Sequence, residues 1–254
     1  MTRAPCCIIA AVTRSWSADV TLTPARRRGH EMLDDPSHDA ALAERSLHDV
    51  ALANRWFGGR RAILREVRQV LSRTPAGMTL RLLDIGTGLG DIPAAVQRLA
   101  GRDARHVTTI GLELAPALAH VAHGACSHAV AANALALPFA TASIDIVTCS
   151  QLLHHFEDET AARLLRECTR VARHAVIVGD LRRSWVAVAG LWLSSFALRF
   201  HPVSRHDGVV SILRGYTRAE LALLIARATG RRAVVRHALG WRITATWFPG
   251  FNAT

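Results

Sequence analysis

The chain has 254 residues, half of them apolar, which is enough to bury one full core and too apolar for a disordered chain. With 17 Gly, 9 Pro and 5 Cys it is neither collagen-like nor a disulfide scaffold. All 31 basic residues are arginine, for a net charge of +11, and the excess sits in the last third: residues 181–254 hold 11 Arg against Asp207 and Glu220 alone, while residues 34–180 hold 15 Arg against 16 acids. A basic last third suits an anionic substrate, an acidic membrane surface or nucleic acid, although an Arg-only composition is also what a GC-rich coding sequence produces.

In chain order, residues 1–33 carry five Arg against Asp19 and Glu31 and show no hydrophobic period. The apolar run at 6–12 is too short for a signal peptide. We expect 1–33 to be a disordered or wrongly assigned extension, with the folded chain starting near Met32. From 39 to 71 the apolar positions recur at helical spacing on both sides of Gly58-Gly59, so 34–73 reads as a helical cap. Pro75-Ala76-Gly77 ends it. Over 74–254 the period changes. Apolar runs at 79–85, 106–112, 129–132, 144–149 and 175–179 read as strands, and helical stretches at 92–99, 116–123 and 161–171 fall between them. That alternation predicts an α/β fold, a doubly wound, mostly parallel sheet with helices on both faces. The apolar stretch 185–200 is too short for the ~20 residues of a membrane span, and 185–215 reads as an insertion that caps a pocket. Thr217 and Glu220 form a T-x-x-E capping box ahead of another helix. Apolar runs at 233–237 and 243–247 are too close for a parallel crossover, so they predict an antiparallel hairpin.

The strongest chemical signal is Leu82-Leu83-Asp84-Ile85-Gly86-Thr87-Gly88-Leu89-Gly90-Asp91, a strand running into a glycine turn that opens a helix. Glycines let backbone approach a ligand, and the helix N-terminus offers free N–H groups. A dinucleotide fingerprint needs glycine where Asp91 stands, and a phosphate loop needs a lysine the chain lacks. Asp84 to Gly90 resembles motif I of class I S-adenosylmethionine-dependent methyltransferases. The resemblance runs from about Leu80 to Ile177. Residues 145–156 are similar to the fourth strand and loop of the type 11 subgroup, which includes ubiquinone and menaquinone methyltransferases. The resemblance implies a Rossmann-like sheet of seven strands, the last antiparallel. It implies S-adenosyl-L-methionine as cofactor, held by Asp84, Gly86, Thr87, Gly88 and Gly90, with Glu113 and Leu114 after the second strand. In such a site Glu113 would accept from the two ribose hydroxyls. Asn133 and Ala134 would meet the adenine and Ser150 the donor group. Asn133 stands where the family usually has Asp, but an amide both donates and accepts.

Three side chains are candidates for the reaction itself. His206, in Arg205-His206-Asp207-Gly208, resembles a substrate-loop base and is preferred. His154, in the loop after the fourth strand, comes next. Asp180, at the end of the fifth strand, reads as a base or as the partner of an arginine. No metal is expected, because His154 and His155 lack ligand partners at suitable spacing, His120-x-x-His123 lacks the zincin pattern and no Cys pair is spaced C-x-x-C. The buried-hydrophobe role suits Cys149 and Cys168. The resemblance and the apolar 185–200 stretch together suggest methyl transfer to a small hydrophobic acceptor (a phenol, quinol or polyketide) in a cytoplasmic enzyme of secondary metabolism. The basic last third allows a peripheral membrane contact. Nucleic acid is disfavoured, since the Asn/Asp-Pro-Pro-Tyr/Phe motif of nucleobase methyltransferases is absent. Two other readings stay open: a catalytically silent cofactor-binding scaffold, and an RNA methyltransferase suggested by charge alone.

Overall fold

The computed structural model describes residues 23–27, 29, 31–32, 40–75 and 77–250. The apolar runs form one seven-stranded sheet: β1 (Thr79–Ile85), β2 (His106–Glu113), β3 (His128–Ala131), β4 (Ile144–Ser150), β5 (Ala172–Leu181), β6 (Val234–Ala238) and β7 (Arg242–Trp247). Their order is β3-β2-β1-β4-β5-β7-β6. β1 to β5 are parallel, and β7 runs antiparallel to both β5 and β6, so the expected hairpin is present. β4 and β5 read as almost unbroken apolar runs because helices cover both faces. Strand order reverses between β1 and β4, and open sheets of this kind bind ligands beyond the carboxyl ends of the strands at such a switch point.

One face is covered by α2 (Gly59–Leu71) and α3 (Asp91–Arg102). Ile63, Val67, Val96 and Leu99 pack there against Leu82, Ile146 and Ile177. The other face is covered by α5 (Asp158–Val171) and α8 (Arg218–Thr229), where Leu164, Leu165, Leu221 and Ile225 meet Val147, Val176 and Trp247. The capping box of α8 forms as expected: Thr217 Oγ1 accepts from Glu220 N–H, and a Glu220 carboxylate oxygen accepts from Thr217 N–H. A short helix, α4 (Pro116–Ala122), joins β2 to β3.

The helical cap expected at 34–73 divides in two. α1 (Ala40–Trp56) covers the carboxyl edge of the sheet, but α2 is a layer of the core. Ile63, Val67 and Val70 recur at i, i+4 and i+7 and face the strands, and buried Glu66 anchors the helix by accepting from Arg65, Arg236 and the hydroxyls of Thr244 and Thr246. The insertion after β5 is helical as expected: α6 (Trp185–Ala197) and α7 (Pro202–Arg214) lie over the same edge as α1. Residues 205–208, expected as a loop, fall inside α7. His201 caps that helix through Nδ1, which accepts from Val203 N–H, and Pro202 opens it. Gly208 does not mark a turn; a Cβ there would lie 2.7 Å from Leu191 Cδ2, so it lets α6 and α7 approach.

The largest correction concerns the start. The described residues among 23–32 (23–27, 29, 31 and 32) form a strap fixed to the body. Arg26 donates to Arg214 O and to Asp158 Oδ1, and its guanidinium lies 4.1 Å from the Tyr216 ring centre. Arg27 N–H donates to Leu213 O, and Pro24 O accepts from Arg183 Nε. Glu31 is buried and accepts from Ser211 Oγ and Arg214, while Met32 N–H donates to Asp207. The strap carries no hydrophobic period because polar contacts fix it. The rest of the extension, 1–22 with Cys6 and Cys7, lies outside the described residues. Cys126, Cys149 and Cys168 are buried free thiols, and burial pushes Cys168 up to about 12. No helix among the described residues is long and apolar enough to cross a membrane.

Candidate functional site

A cavity of about 460 Å³ lies between the carboxyl ends of β1, β4 and β5 and the cover made by α1, α6 and α7. Its walls are mostly apolar, with Leu47, Val50, Phe57, Leu191, Ile212 and Trp241 among them. Four side-chain atoms among the described residues are buried without a hydrogen-bond partner: Asp91 Oδ2, His154 Nε2, Arg205 Nε and Arg242 Nε. Three of those residues, Asp91, His154 and Arg242, line this one cavity. An unmet buried polar atom costs about 1–3 kcal/mol, so their convergence marks where a ligand belongs.

The glycine turn forms one end of the cavity. Gly86, Thr87 and Gly88 line it, with φ of +67° at Gly86 and +55° at Gly88. That backbone is open to glycine and strained for a branched side chain. Glu113 reaches back from the end of β2, and its Oε1 accepts from Gly88 N–H at 2.5 Å. Burial pushes the Glu113 carboxyl up, against that hydrogen bond. Asp91 opens α3 beneath the turn, and burial raises it too, against the Arg60 charge. Ser150 lines the wall at the end of β4.

Five residues expected at the cofactor lie outside the cavity. Asp84 is fully buried beneath the turn, accepting from Thr87 Oγ1 at 2.9 Å and Thr148 Oγ1 at 2.7 Å. Burial pushes its carboxyl up to about 7 although those hydroxyls pull it down. It shapes the turn and does not line the cavity. Gly90 serves packing, since a Cβ there would lie 2.7 Å from Ala125 Cβ. Leu114 points to solvent at 72 % exposure, past the end of β2. Asn133 caps its own turn, Oδ1 accepting from Leu135 N–H at 2.9 Å, a bond that Asp or Asn makes alike. Ala134 packs against the core beneath α5.

The catalytic candidates separate just as clearly. His154 is 3 % exposed in a 3-10 turn, Leu153–His155, directly after β4. Its Nδ1 lies 2.6 Å from Asp180 Oδ1, and Asp180 also accepts from the backbone N–H groups of His154 and Leu181. Burial alone would raise the Asp180 carboxyl, but the His154 ring and these donors hold it below the usual carboxylate value. An ionised Asp180 favours the His154 proton on Nδ1, so Nε2 is left without a hydrogen-bond partner, with Glu31 Oε1 3.8 Å from it. Asp180 therefore pairs with a histidine, where an arginine was the expected partner. His206 is the correction: on α7 its side chain is 47 % exposed, lies outside the cavity and bonds to neighbouring Asp207.

Sequence reasoning missed several lining residues. Asp91 follows the glycine run directly and was legible there. Gln151 has a φ of +52°, uncommon for a non-glycine residue and frequent at functional sites, but nothing in a sequence encodes it. Asn54, Arg242 and Glu31 arrive from distant elements. Glu31, His154 and His155 bring ligating atoms within 4.8 Å of one another. A cation there would have to displace Arg214, which already holds Glu31 Oε1 at 2.8 Å, so the group is better read as a charged wall.

Residues 83–178 match the family model described as a methyltransferase domain. No curated protein matches the sequence. Among solved structures, the chain resembles an S-adenosylmethionine-dependent methyltransferase from Aquifex aeolicus, with TM-score 0.55 and 13 % identity over 81 % of this chain and 97 % of that one. A putative O-methyltransferase from Nostoc punctiforme gives TM-score 0.55 and 20 % identity over 79 % of this chain, which spans 60 % of that protein. Magnesium protoporphyrin IX methyltransferase from Synechocystis, solved with S-adenosylhomocysteine bound, gives TM-score 0.51 and 12 % identity over 85 % and 90 % of the two chains. At these identities the likeness is one of fold.

Proposed function

We propose that this chain, whose residues 83–178 match the methyltransferase-domain family model, is an S-adenosylmethionine-dependent methyltransferase that transfers a methyl group to a small hydrophobic acceptor inside the cavity under α1, α6 and α7. The observation that carries the reading is that Asp91 Oδ2, His154 Nε2 and Arg242 Nε, none with a hydrogen-bond partner, belong to residues lining one cavity that begins at the glycine turn.

The cofactor fits the residues present. The open backbone at Gly88, with a would-be Cβ no closer than 3.7 Å to Leu47, gives room for close approach, and Glu113 and Asp91 supply acceptors for hydroxyl and ammonium donors. The bound group would supply a methyl on a sulfonium. The chain's own task is to align the acceptor with it and to exclude water, which the lids α1, α6 and α7 serve. His154 Nε2 takes the proton of a hydroxyl acceptor, Asp180 holding the ring. A phenol, quinol or polyketide hydroxyl suits both the apolar walls and that base. The test is calorimetric titration with S-adenosylmethionine, wild type against Gly88→Val. Binding should weaken by about 100-fold or more in the variant, because a branched side chain at positive φ enters the approach. Equal affinity in the two proteins would refute the cofactor site.

The outer face of α6 supports a membrane-side origin for the acceptor. Trp185, Trp192, Leu193 and Phe196 are exposed on a helix whose other face, at Ala187 and Leu191, walls the cavity. Arg27 lies over Trp185 and Arg205 over Phe196, as an interfacial helix at an anionic surface would have them. The protein should co-sediment with phosphatidylglycerol vesicles and not with phosphatidylcholine vesicles, and Trp192→Ser with Phe196→Ser should lose this. Retention on neither vesicle would remove the membrane reading and leave the transferase reading intact.

A further inference from the structure

Arg242 opens β7 and pairs in register with Leu181 at the end of β5. It lines the cavity and is 5 % exposed. Its Nη1 donates to Gln151 Oε1, and the Gln151 amide donates in turn to Asn54 Oδ1; both partners are neutral. No hydrogen bond or ion pair joins Arg242 to any carboxylate among the described residues. Asp180, whose charge reaches it, already accepts from His154 and Leu181. Arg242 Nε has no partner at all. A buried guanidinium left without an anion is costly, and replacing such a charge by an apolar side chain is often neutral or stabilising. A chain that keeps one at a cavity wall has a use for it.

We propose that Arg242, framed by Gln151 and Asn54, is an anion subsite that receives a carboxylate carried by the methyl acceptor. The inference rests on the methyltransferase reading above and narrows its substrate class to an apolar acid, one carboxylate on a hydrophobic body, bearing the hydroxyl that is methylated. A carboxylate fits because its two oxygens match the planar fork of a guanidinium. Position assigns the subsite to the acceptor. Gly86, Gly88 and Glu113 end β1 and β2; His154 and Asp180 follow β4 and end β5; Arg242 begins β7, on the far side of β5 from the glycine turn. An acid anchored at Arg242 would thus reach past His154 toward the donor.

The probes are benzoate and its neutral counterpart benzamide, titrated into protein saturated with S-adenosylhomocysteine. Benzoate should bind wild type at least about tenfold more tightly than benzamide. Arg242→Met should reduce that ratio to about one, Arg242→Lys should retain part of it, and S-adenosylhomocysteine affinity should stay within about twofold in both. The melting temperature of Arg242→Met should equal or exceed that of wild type. Should that variant not fold, Gln151→Glu gives an internal carboxylate to Arg242 and should erase the benzoate preference in the same way. Equal or undetectable binding of the two probes by wild type overturns the subsite. So does a loss of S-adenosylhomocysteine affinity in Arg242→Met with the benzoate preference intact, since Arg242 would then serve the donor. If wild type binds no S-adenosylhomocysteine, the methyltransferase reading fails by itself, and the benzoate to benzamide ratio on the free protein still decides the subsite.

Discussion

Replacing His154 with Gln should lower turnover by about 10²–10⁴-fold while leaving S-adenosylhomocysteine affinity unchanged. Gln keeps the size of the side chain but not the lone pair that Nε2 presents to the cavity. Asp180→Asn should act in the same direction. An amide at that position can donate to Nδ1, which would place the ring proton on Nε2 and point the wrong end of the imidazole at the acceptor. Both losses should appear in kcat, because neither side chain is needed to hold the donor. They should ease as pH rises for an acceptor that ionises by itself. His206→Ala should turn over as wild type does, its side chain being outside the cavity. Single-turnover kinetics with methyl-labelled donor measure all three. Normal chemistry in His154→Gln would leave alignment as the whole of the mechanism.

A chain beginning at Met32 should melt roughly 10 °C below the full chain. Its loss removes Glu31 from Arg214, and breaking a buried ion pair by deleting one partner costs about 3–5 kcal/mol. At about 2–4 °C per kcal/mol for a chain of this size, that alone gives the shift. The Arg26 and Pro24 contacts go with it. Glu31→Gln isolates the ion pair and should account for the greater part of the change. Thermal unfolding of the three proteins, with turnover alongside, checks this. An unchanged melting temperature in the shortened chain would mean that the strap rests on the body without stabilising it.

What the sequence made legible was whatever repeats or lies close in the chain. β4 and β5 were readable because strands buried on both faces keep almost unbroken apolar runs, and the α8 capping box because its two residues sit three apart. The glycine turn was readable for the same reason: Gly86, Gly88 and the strand before them are contiguous. The other half of the site was not. Arg242, Gln151 and Asn54 are brought together from β7, the β4 loop and α1 by tertiary packing, and each alone looks like an ordinary surface polar residue. His206 misled because His-Asp-Gly reads as a polar turn, whereas Gly208 is spent on the contact with Leu191 inside a helix. Asp84 misled in another way: its place at the strand end is right, but hydroxyls from Thr87 and Thr148 claim its carboxylate before any ligand can.

Five parallel strands can each offer only their last residues and following loops to the carboxyl edge of a sheet. The reversed direction of β7 breaks that limit, for it is the beginning of this strand, and the bend that precedes it, that arrives there. Gly240 and Trp241 in that bend line the cavity beside Arg242, while the glycine turn follows β1, with β4 and β5 between the two. The proposed anion subsite at Arg242 is therefore encoded about 150 residues away from the glycine turn. Substitutions of Trp241 and Arg242 should remould the far wall of the cavity without touching the glycine turn, while Gly240, where a Cβ would run into Phe57 O, keeps the bend in place. Relatives that share residues 83–178 and take another acceptor should accordingly differ at Trp241 and Arg242 while keeping Gly240.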